Sequence, residues 1–183
     1  MPRTIALTVF MIATSAPLAA QDALRLAPST RGTATVSEMA GEGATARTIR
    51  LDWGQPHLRG RALHTDSLVP YGEVWRTGAN AITTLETDFD LMLGSAMLPA
   101  GRYALFTLPT PEGWTLIVQR NVGQSAGDYT TANDVARIPL RMRTLASPVE
   151  SLTMWLIPAR EGARGELRMA WGTTELSAEW MIH

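Results

Sequence analysis

The chain has 183 residues, with 16 basic and 17 acidic side chains and a formal net charge of −1. A protein without an excess of basic residues lacks the electrostatic footprint of a nucleic-acid binder, so we expect no nucleic-acid partner. No cysteine occurs, which excludes disulfides, thiolate metal sites and a lipid anchor on a cysteine.

The first twenty residues predict a secretory signal peptide. Arg3 precedes a nearly continuous apolar run over residues 5–12, and small residues follow as far as Ala20. Leu18 departs from the usual small residue three positions before the cut. The alternative is an uncleaved membrane anchor, but the apolar run is shorter than the ~20 residues that span a bilayer. We expect an exported protein, periplasmic or secreted, with no membrane span in the mature chain.

After the leader, residues 21–32 predict a polar linker and residues 33–183 a single domain. The mature chain is long enough to bury roughly 70% of its unfolded surface as one domain. Strand periodicity begins with Ile49, Leu51 and Trp53 on one side of a segment whose other side is polar. Glycine-rich residues 40–46 do not lead from a strand into a helix, so they predict a hairpin connection rather than a phosphate loop.

Short runs with a period of two continue along the chain. Phe89, Leu91 and Leu93 share one face, and Gly94 with Ser95 predicts a reversal. Pro99 and Gly101 suit a tight turn. Further strands are expected in "AITTLETD", "SAML", "RYALFTL", "WTLIVQR", "ARIPLRMR", "SLTMWLIP", "GELRMAW" and "ELSAEWMI".

These runs predict an all-β fold: an antiparallel β-sandwich, or a related barrel, of about nine or ten short strands with one long structured loop. Less than about a tenth of the mature chain should be helical, since no segment repeats its apolar residues at helical spacing. Arg137, Arg141 and Arg143 form one face of a strand and favour a solvated face over a binding stripe. Pro139 in the same strand indicates a sheet edge.

Almost thirty residues without strand alternation separate Trp53 from Ile82. Long loops inside compact domains are uncommon and often functional. Pro70 suits a first helical position, Tyr71 and Trp75 are four apart, and Gly78 can end a turn in the left-handed conformation. We therefore predict one helical turn that two aromatic side chains fix to the core.

Arg76 and Asn80 follow that turn, and two interpretations of Arg76 stay open. It clamps carbonyls of its own loop or pairs with an acid such as Glu73 or Asp52, because a buried guanidinium needs partners. Alternatively, Arg76, Asn80 and Arg61 present donors to a polar ligand. The candidate ligand-binding residues of the 55–80 loop are Arg61, Tyr71, Trp75, Arg76 and Asn80.

The segment "WGQPHLRGRALHTDSLVPYGEVWRTGAN", followed by "LPAGRYALFTLP" and "GWTLIVQRN", resembles the DUF2911 family of small, mostly exported bacterial proteins of uncharacterised function. The resemblance runs from about Thr33 to Trp180 and implies an all-β domain with this loop as its signature. It implies no reaction. The matching residues are Pro56, Gly60, Arg61, Leu68, Val69, Pro70, Tyr71, Gly72, Trp75, Arg76, Gly78, Ala79 and Asn80.

The chain departs from the family pattern at three places. Gln55 replaces an Arg, Arg59 replaces a Lys, and residues 125–129 lack the Trp-Gly that the family carries near a Tyr. The first departure would weaken a site that needs that Arg.

Catalytic and metal chemistry find little support in the sequence. His57 and His64 share the long loop with Asp66 and Glu73, but their spacing fits no standard metal motif. No Gly-x-Ser-x-Gly elbow occurs. We predict no metal site and no cofactor, and the catalytic residues, if any, are unknown.

The six tryptophans raise the question of sugar binding. Trp53, Trp155, Trp171 and Trp180 lie in strand patterns that core packing explains. Trp114 opens a strand after a turn and could be exposed, and Trp75 alone lies in the loop motif.

Three functions remain open: a binding or interaction module with a polar ligand site on the 55–80 loop, an enzyme acting on a small polar or saccharide-like substrate with an acid or base from that loop, and a structural envelope protein. The first is preferred, and an enzyme is not favoured. The partner is thus an unknown small polar ligand or a component of the cell envelope.

Overall fold

The computed structural model describes residues 27–39, 41–65, 68–120 and 129–183. These residues contain nine β-strands and one short 3-10 helix, Thr131–Asn133, and no α-helix. The strands are β1 Thr30–Ser37, β2 Thr48–Gln55, β3 Thr83–Thr87, β4 Leu91–Leu93, β5 Ala96–Leu98, β6 Gly101–Pro109, β7 Trp114–Gln119, β8 Asp134–Pro158 and β9 Arg164–Ile182.

The strands form one sheet in the order β1-β2-β3-β6-β7-β8-β9-β4-β5, and all their pairings are antiparallel. β1 and β5 are the two ends of this order, so the sheet is not closed into a barrel. The prediction of an all-β, antiparallel fold of about nine strands is confirmed. The glycine-rich segment after β1 connects it to β2 as a hairpin, as its composition indicates.

The sheet bends so that β2, near one end of the strand order, packs against β8 and β9, and the core lies between them. Ile49 and Leu51 of β2 are fully buried, and they belong to the same apolar cluster as Leu167 and Met169 of β9. The indole Nε1 of Trp53 donates a hydrogen bond to the carbonyl oxygen of Leu152 in β8 at 3.1 Å. Because alternate residues of each strand point to the same face, the apolar side chains of β2 and of β8 and β9 meet in one interior.

The last two strands are much longer than the sequence predicts. The sequence predicts four short strands in this region. The structure instead has two long ones, β8 and β9, which pair along most of their length. The register shifts between Thr144 and Val149 and again before Thr153, where β8 has extra residues. Such bulges bend a strand without ending it. Gly172 of β9, at φ 58°, lies opposite this bend.

The predicted edge at Pro139 holds only locally: β8 as a whole lies between β7 and β9, but its first part pairs with β7 alone. The register explains how a proline is tolerated there. Pro139 pairs with Thr115 of β7, whereas pairing with β9 begins only at Arg141. The row of arginines is a solvated face, as predicted: all three side chains are exposed, and each forms an ion pair with an acidic neighbour.

β1 begins at Thr30, inside the segment assigned to the linker. The leader and residues 21–26 lie outside the described residues, so the signal peptide and its cleavage remain predictions. Within the described ranges, no helix has the length and apolarity needed to cross a membrane.

Candidate functional site

The 55–80 loop belongs to a connection that joins β2 to β3 and contacts two other strands on its way. At its start, Leu58 N donates to Glu150 O at 2.9 Å, and Pro56 O accepts from Leu152 N at 3.0 Å. The loop thus pairs with β8 before it leaves the sheet.

Further along, the loop pairs with the end of β6. Gly72 N donates to Pro109 O at 2.9 Å, and Trp75 and Thr107 exchange two backbone hydrogen bonds of 2.8 Å. Because β3 covers β6 only as far as Leu105, the loop covers the remaining edge of that strand.

The predicted helical turn is wrong for this reason. Residues 71 and 72 form a turn, and Trp75 is part of an isolated β-bridge to Thr107. The bridge fixes Trp75 in an extended conformation, which a helix excludes. Between residues 68 and 80 the left-handed residues are Gly72, Thr77 and Asn80. Gly78 is instead needed for space, since a Cβ there would lie 2.8 Å from Gly54 O.

Aromatic side chains hold the loop on the core. Trp75 stacks on Trp171 with ring centroids 5.7 Å apart and meets Trp114 edge-on at 6.3 Å. His64 stacks on Tyr71 at 4.0 Å. The cavity beside Trp75 measures only about 10 Å³, less than a ligand needs. Trp75 is therefore mainly an anchor, whereas Tyr71 is 46% exposed.

Two expectations for the tryptophans are corrected by these contacts. Trp114 is 4% exposed rather than open, because the loop covers the start of β7. Trp155, assigned to the core, is 38% exposed, because it lies between Met154 and Leu156, whose side chains face the core. Trp53, Trp171 and Trp180 are buried as predicted.

The segment Arg76–Asn80 crosses β2 in a strained turn whose central residues, 77–79, are buried. Thr77 is fully buried at φ 56°, and its Oγ1 lies 3.2 Å from Thr107 Oγ1. A β-branched residue with positive φ is a true outlier, and such strain persists only where surrounding contacts over-determine it. Here Thr83 Oγ1 donates to Thr77 O at 2.8 Å, and Ala79 N donates to Gly54 O at 3.1 Å.

The two arginines of the candidate site have different environments. Arg61 clamps the loop: its Nε donates to Leu58 O at 2.9 Å and its Nη2 to His57 O at 2.7 Å. Arg76 is half-buried, and its Nε donates to Gly78 O at 3.2 Å. Within the described part of the chain its terminal amino groups have no partner, and it forms no ion pair with Glu73 or Asp52.

Asn80 lies at the end of this crossing with φ 61°, and its side chain is exposed. Asparagine is one of the few residues other than glycine that adopt this conformation readily. Its carboxamide has no partner among the residues that the structure describes. Arg76 and Asn80 therefore flank the strained turn with unused hydrogen-bonding groups, whereas no contact in the described ranges joins Arg61 to either of them.

The loop histidines are both engaged. His57 Nδ1 lies 2.7 Å from Ser151 Oγ, and His64 Nδ1 lies 3.1 Å from Val69 O. Asp66 falls outside the described residues. In the described ranges, no group of three or more His, Cys, Asp or Glu side chains is placed to hold a metal ion.

A larger cleft that the sequence did not indicate lies beside β4, β8 and both ends of β9. Its volume is about 600 Å³, and Met92, Ile157 and Met181 line it together with Arg141 and Glu166. Arg141 bridges Glu166 at 2.9 Å and Glu179 at 3.1 Å. The residues that line this cleft lie far apart in the sequence, so no local pattern predicts the cleft.

The structure thus defines a small all-β protein whose long loop, with a strained turn, completes one edge of the sheet. The chain belongs to the DUF2911 family, described as a protein of unknown function, whose sequence model matches residues 34–179. This confirms the resemblance that the loop motif carries. No curated protein and no solved structure matches the chain.

Proposed function

We propose that the protein is a binding module that holds a small anionic ligand, such as a carboxylate, on Arg76 and Asn80. One observation supports this most directly. Arg76 is half-buried but uses only Nε within the described part of the chain, although a guanidinium has five N–H donors. Water is a poorer partner for such a group than an oxyanion that accepts two parallel hydrogen bonds.

The backbone around these side chains supports the proposal. The left-handed conformations of Thr77 and Asn80 are held by buried hydrogen bonds to β2, β3 and β6. Strain of this kind is concentrated at ligand sites, where a fixed turn orders the binding groups beforehand. Arg61 then positions the loop rather than contacting the ligand, since two of its nitrogens already bind loop carbonyls. Tyr71 offers an exposed aromatic surface.

The test is binding of acetate, succinate, citrate and inorganic phosphate, measured by thermal shift and calorimetry. A ligand present at 100 times its dissociation constant should stabilise the protein by about 2.7 kcal/mol. Arg76→Lys keeps the charge but loses the planar fork, and Asn80→Gly removes the carboxamide while tolerating the positive φ. Both should weaken binding by about tenfold, the equivalent of 1.4 kcal/mol.

Arg160→Gln is the matched control, because Arg160 is exposed and lies in a different loop, the one that connects β8 to β9. It should leave anion binding unchanged. Anion binding that is equally strong in the Arg76→Lys, Asn80→Gly and wild-type proteins would contradict the proposed site, as would the absence of binding across the panel. An enzyme acting on a small polar or saccharide-like substrate stays an open alternative from the sequence.

We also propose that the protein acts outside the cytoplasm. The support is the apolar leader followed by small residues before Gln21. N-terminal sequencing of the natural protein should find a start near Gln21 in the periplasm or medium. Recovery of intact Met1 in the cytoplasm would contradict export.

A further inference from the structure

Three methionines form a row across the end of the sheet that contains β5, β4 and β9. Met92 of β4 is the register partner of Met97 in β5 on one side and of Met181 in β9 on the other. Directly opposed residues of antiparallel strands project from the same face. The three thioether side chains therefore leave the sheet side by side.

This face is the outer one. Leu91, Leu93, Leu98 and Trp180, which alternate with the methionines, are each 3% exposed or less. By contrast, Met97 is 47% exposed, Met181 is 42% exposed, and Met92 between them is half-buried. Packing against the core accounts for the inner residues, but it does not account for three adjacent methionines on the outside.

Strand spacing allows the three sulfur atoms to reach one point. Neighbouring strands lie ~4.8 Å apart, so Met97 and Met181 start on either side of Met92 at about that distance. A methionine side chain is unbranched and has three rotatable bonds. The two outer side chains can lean inward and bring their sulfur atoms around a single ion above Met92.

A nitrogen donor lies beside this row. His183 is two residues beyond Met181, and its amide donates to Asp90 O at 2.9 Å, which continues the pairing of β9 with β4. By alternation, the imidazole of His183 projects from the same face as Met181. His183 is exposed.

The charged groups near the row are of both signs: Arg141 and Arg164 line the cleft beside Met92 and Met181, together with Glu166 and Glu179. Glu179, two residues before Met181 on the same face, is 74% exposed at its side chain and pairs with Arg141 at 3.1 Å. Asp90 Oδ1 accepts a hydrogen bond from Ala100 N at 2.9 Å.

The geometry points to a soft-metal site in which Met92, Met97 and Met181 bind one Cu(I) ion, with His183 as a fourth donor. Thioethers are soft ligands that select Cu(I) and are poor ligands for Mg²⁺ or Ca²⁺, which prefer oxygen. This site is distinct from the anion site proposed on Arg76 and Asn80, and neither proposal depends on the other.

The test is titration of the full-length protein with Cu(I), kept reduced by ascorbate without oxygen, against a chromogenic Cu(I) chelator. Ag(I) serves as a second probe that needs no reductant. The expected result is one tightly bound ion per chain, with shifts of the methyl NMR signals of these three methionines. Replacing Met92, Met97 or Met181 by Leu conserves volume and should preserve the fold.

Each of these variants should weaken Cu(I) binding by about tenfold or more, since loss of even an outer partner of a metal ligand costs 10- to 100-fold. His183→Asn should weaken it as well, because the variant removes the fourth donor. Met142→Leu is the matched control: Met142 is 47% exposed but lies on β8, outside the row. It should bind Cu(I) like the wild type, and so should Arg76→Lys.

Equal Cu(I) affinity in the wild type and in the variant that combines Met92→Leu, Met97→Leu and Met181→Leu would overturn the site. A Met142→Leu variant as weak as the three single variants would also overturn it, because binding would then reflect exposed methionines in general. Unchanged affinity in His183→Asn would overturn the four-donor assignment. Circular dichroism of each variant shows whether it is folded, so that weaker Cu(I) binding can be told apart from unfolding.

Discussion

The amide of Ala79 donates a hydrogen bond to the carbonyl oxygen of Gly54 at 3.1 Å. The family motif therefore crosses β2 backbone against backbone. A Cβ placed on Gly54 would lie 1.7 Å from Ala79 O, a separation that no rotamer change relieves. The glycine of β2 and the strained turn of the loop are thus two parts of one contact.

Gly54→Ala should destabilise the protein severely, because the backbone of β2 or of the loop must move. Overpacking typically costs 1–3 kcal/mol, and contact with backbone should place this variant at about 3 kcal/mol or more. Urea denaturation measures it.

Gly113→Ala provides the control, since no atom lies within 4 Å of its added Cβ and its φ is not positive. Its midpoint should stay near that of the wild type. If both alanine variants unfold at the same urea concentration, the crossing does not require a glycine.

Arg61→Ala should destabilise the protein more than Arg76→Ala, because Arg61 donates to two carbonyls of the loop and Arg76 to one. The net loss should be about 1 kcal/mol for Arg61. Chemical denaturation without added anions measures both. A larger loss for Arg76→Ala would mean that Arg76, not Arg61, is the clamp.

Trp53→Phe should cost about 1–3 kcal/mol, because it removes the buried donor to Leu152 O and leaves that carbonyl unpaired. Trp155→Phe is the matched control, since Trp155 is 38% exposed. Thermal or urea unfolding compares the two. Similar losses would contradict the assignment of Trp53 as the link between β2 and β8.

Stability should fall at low pH, partly through Glu166. Burial alone would raise the pKa of this carboxyl, but hydrogen bonds from Arg168 and Ser177 and the charges of Arg168 and Arg141 outweigh burial and hold the pKa below its ordinary value. A lowered pKa in the folded state gives stability that is fully present above the unfolded pKa. That stability is lost as the pH falls through the folded pKa, from about pH 5 downward.

Glu166→Gln should therefore flatten the decline of the urea midpoint between about pH 6 and pH 3. Glu161→Gln, at an exposed acid between β8 and β9, should keep the wild-type slope. An unchanged slope in Glu166→Gln would show that other carboxylates carry the acid sensitivity.

Local patterns predicted most of the strands and turns correctly. Ile49, Leu51 and Trp53 alternate because one face of β2 packs on the core, and Gly94 with Ser95 reverses the chain between β4 and β5. The bend that joins four predicted strands into β8 and β9 was not predictable, because bulges depend on which strand lies opposite. The exposure of Trp155, by contrast, follows from alternation alone, because its neighbour Met154 faces the core.

The candidate site shows the same limit. The aromatic spacing of Tyr71 and Trp75 fits a helical turn, but Trp75 pairs with Thr107 instead, and that partner is remote in the sequence. The sequence did indicate that an arginine of the loop would clamp its carbonyls. It could not tell that Arg61 would use two nitrogens in this way and Arg76 only one.

The pairing of β4 with the end of β9 has a consequence for the rate at which the protein folds. Leu91 faces Ile182, so this pairing must close a loop that contains most of the domain. The entropy of closing such a loop is lost before the contact stabilises the chain, and folds dominated by distant pairings typically fold in about milliseconds to seconds. The β1–β2 hairpin needs no such closure. We expect the chain to acquire the β1–β2 hairpin early, and the face that carries the three methionines last.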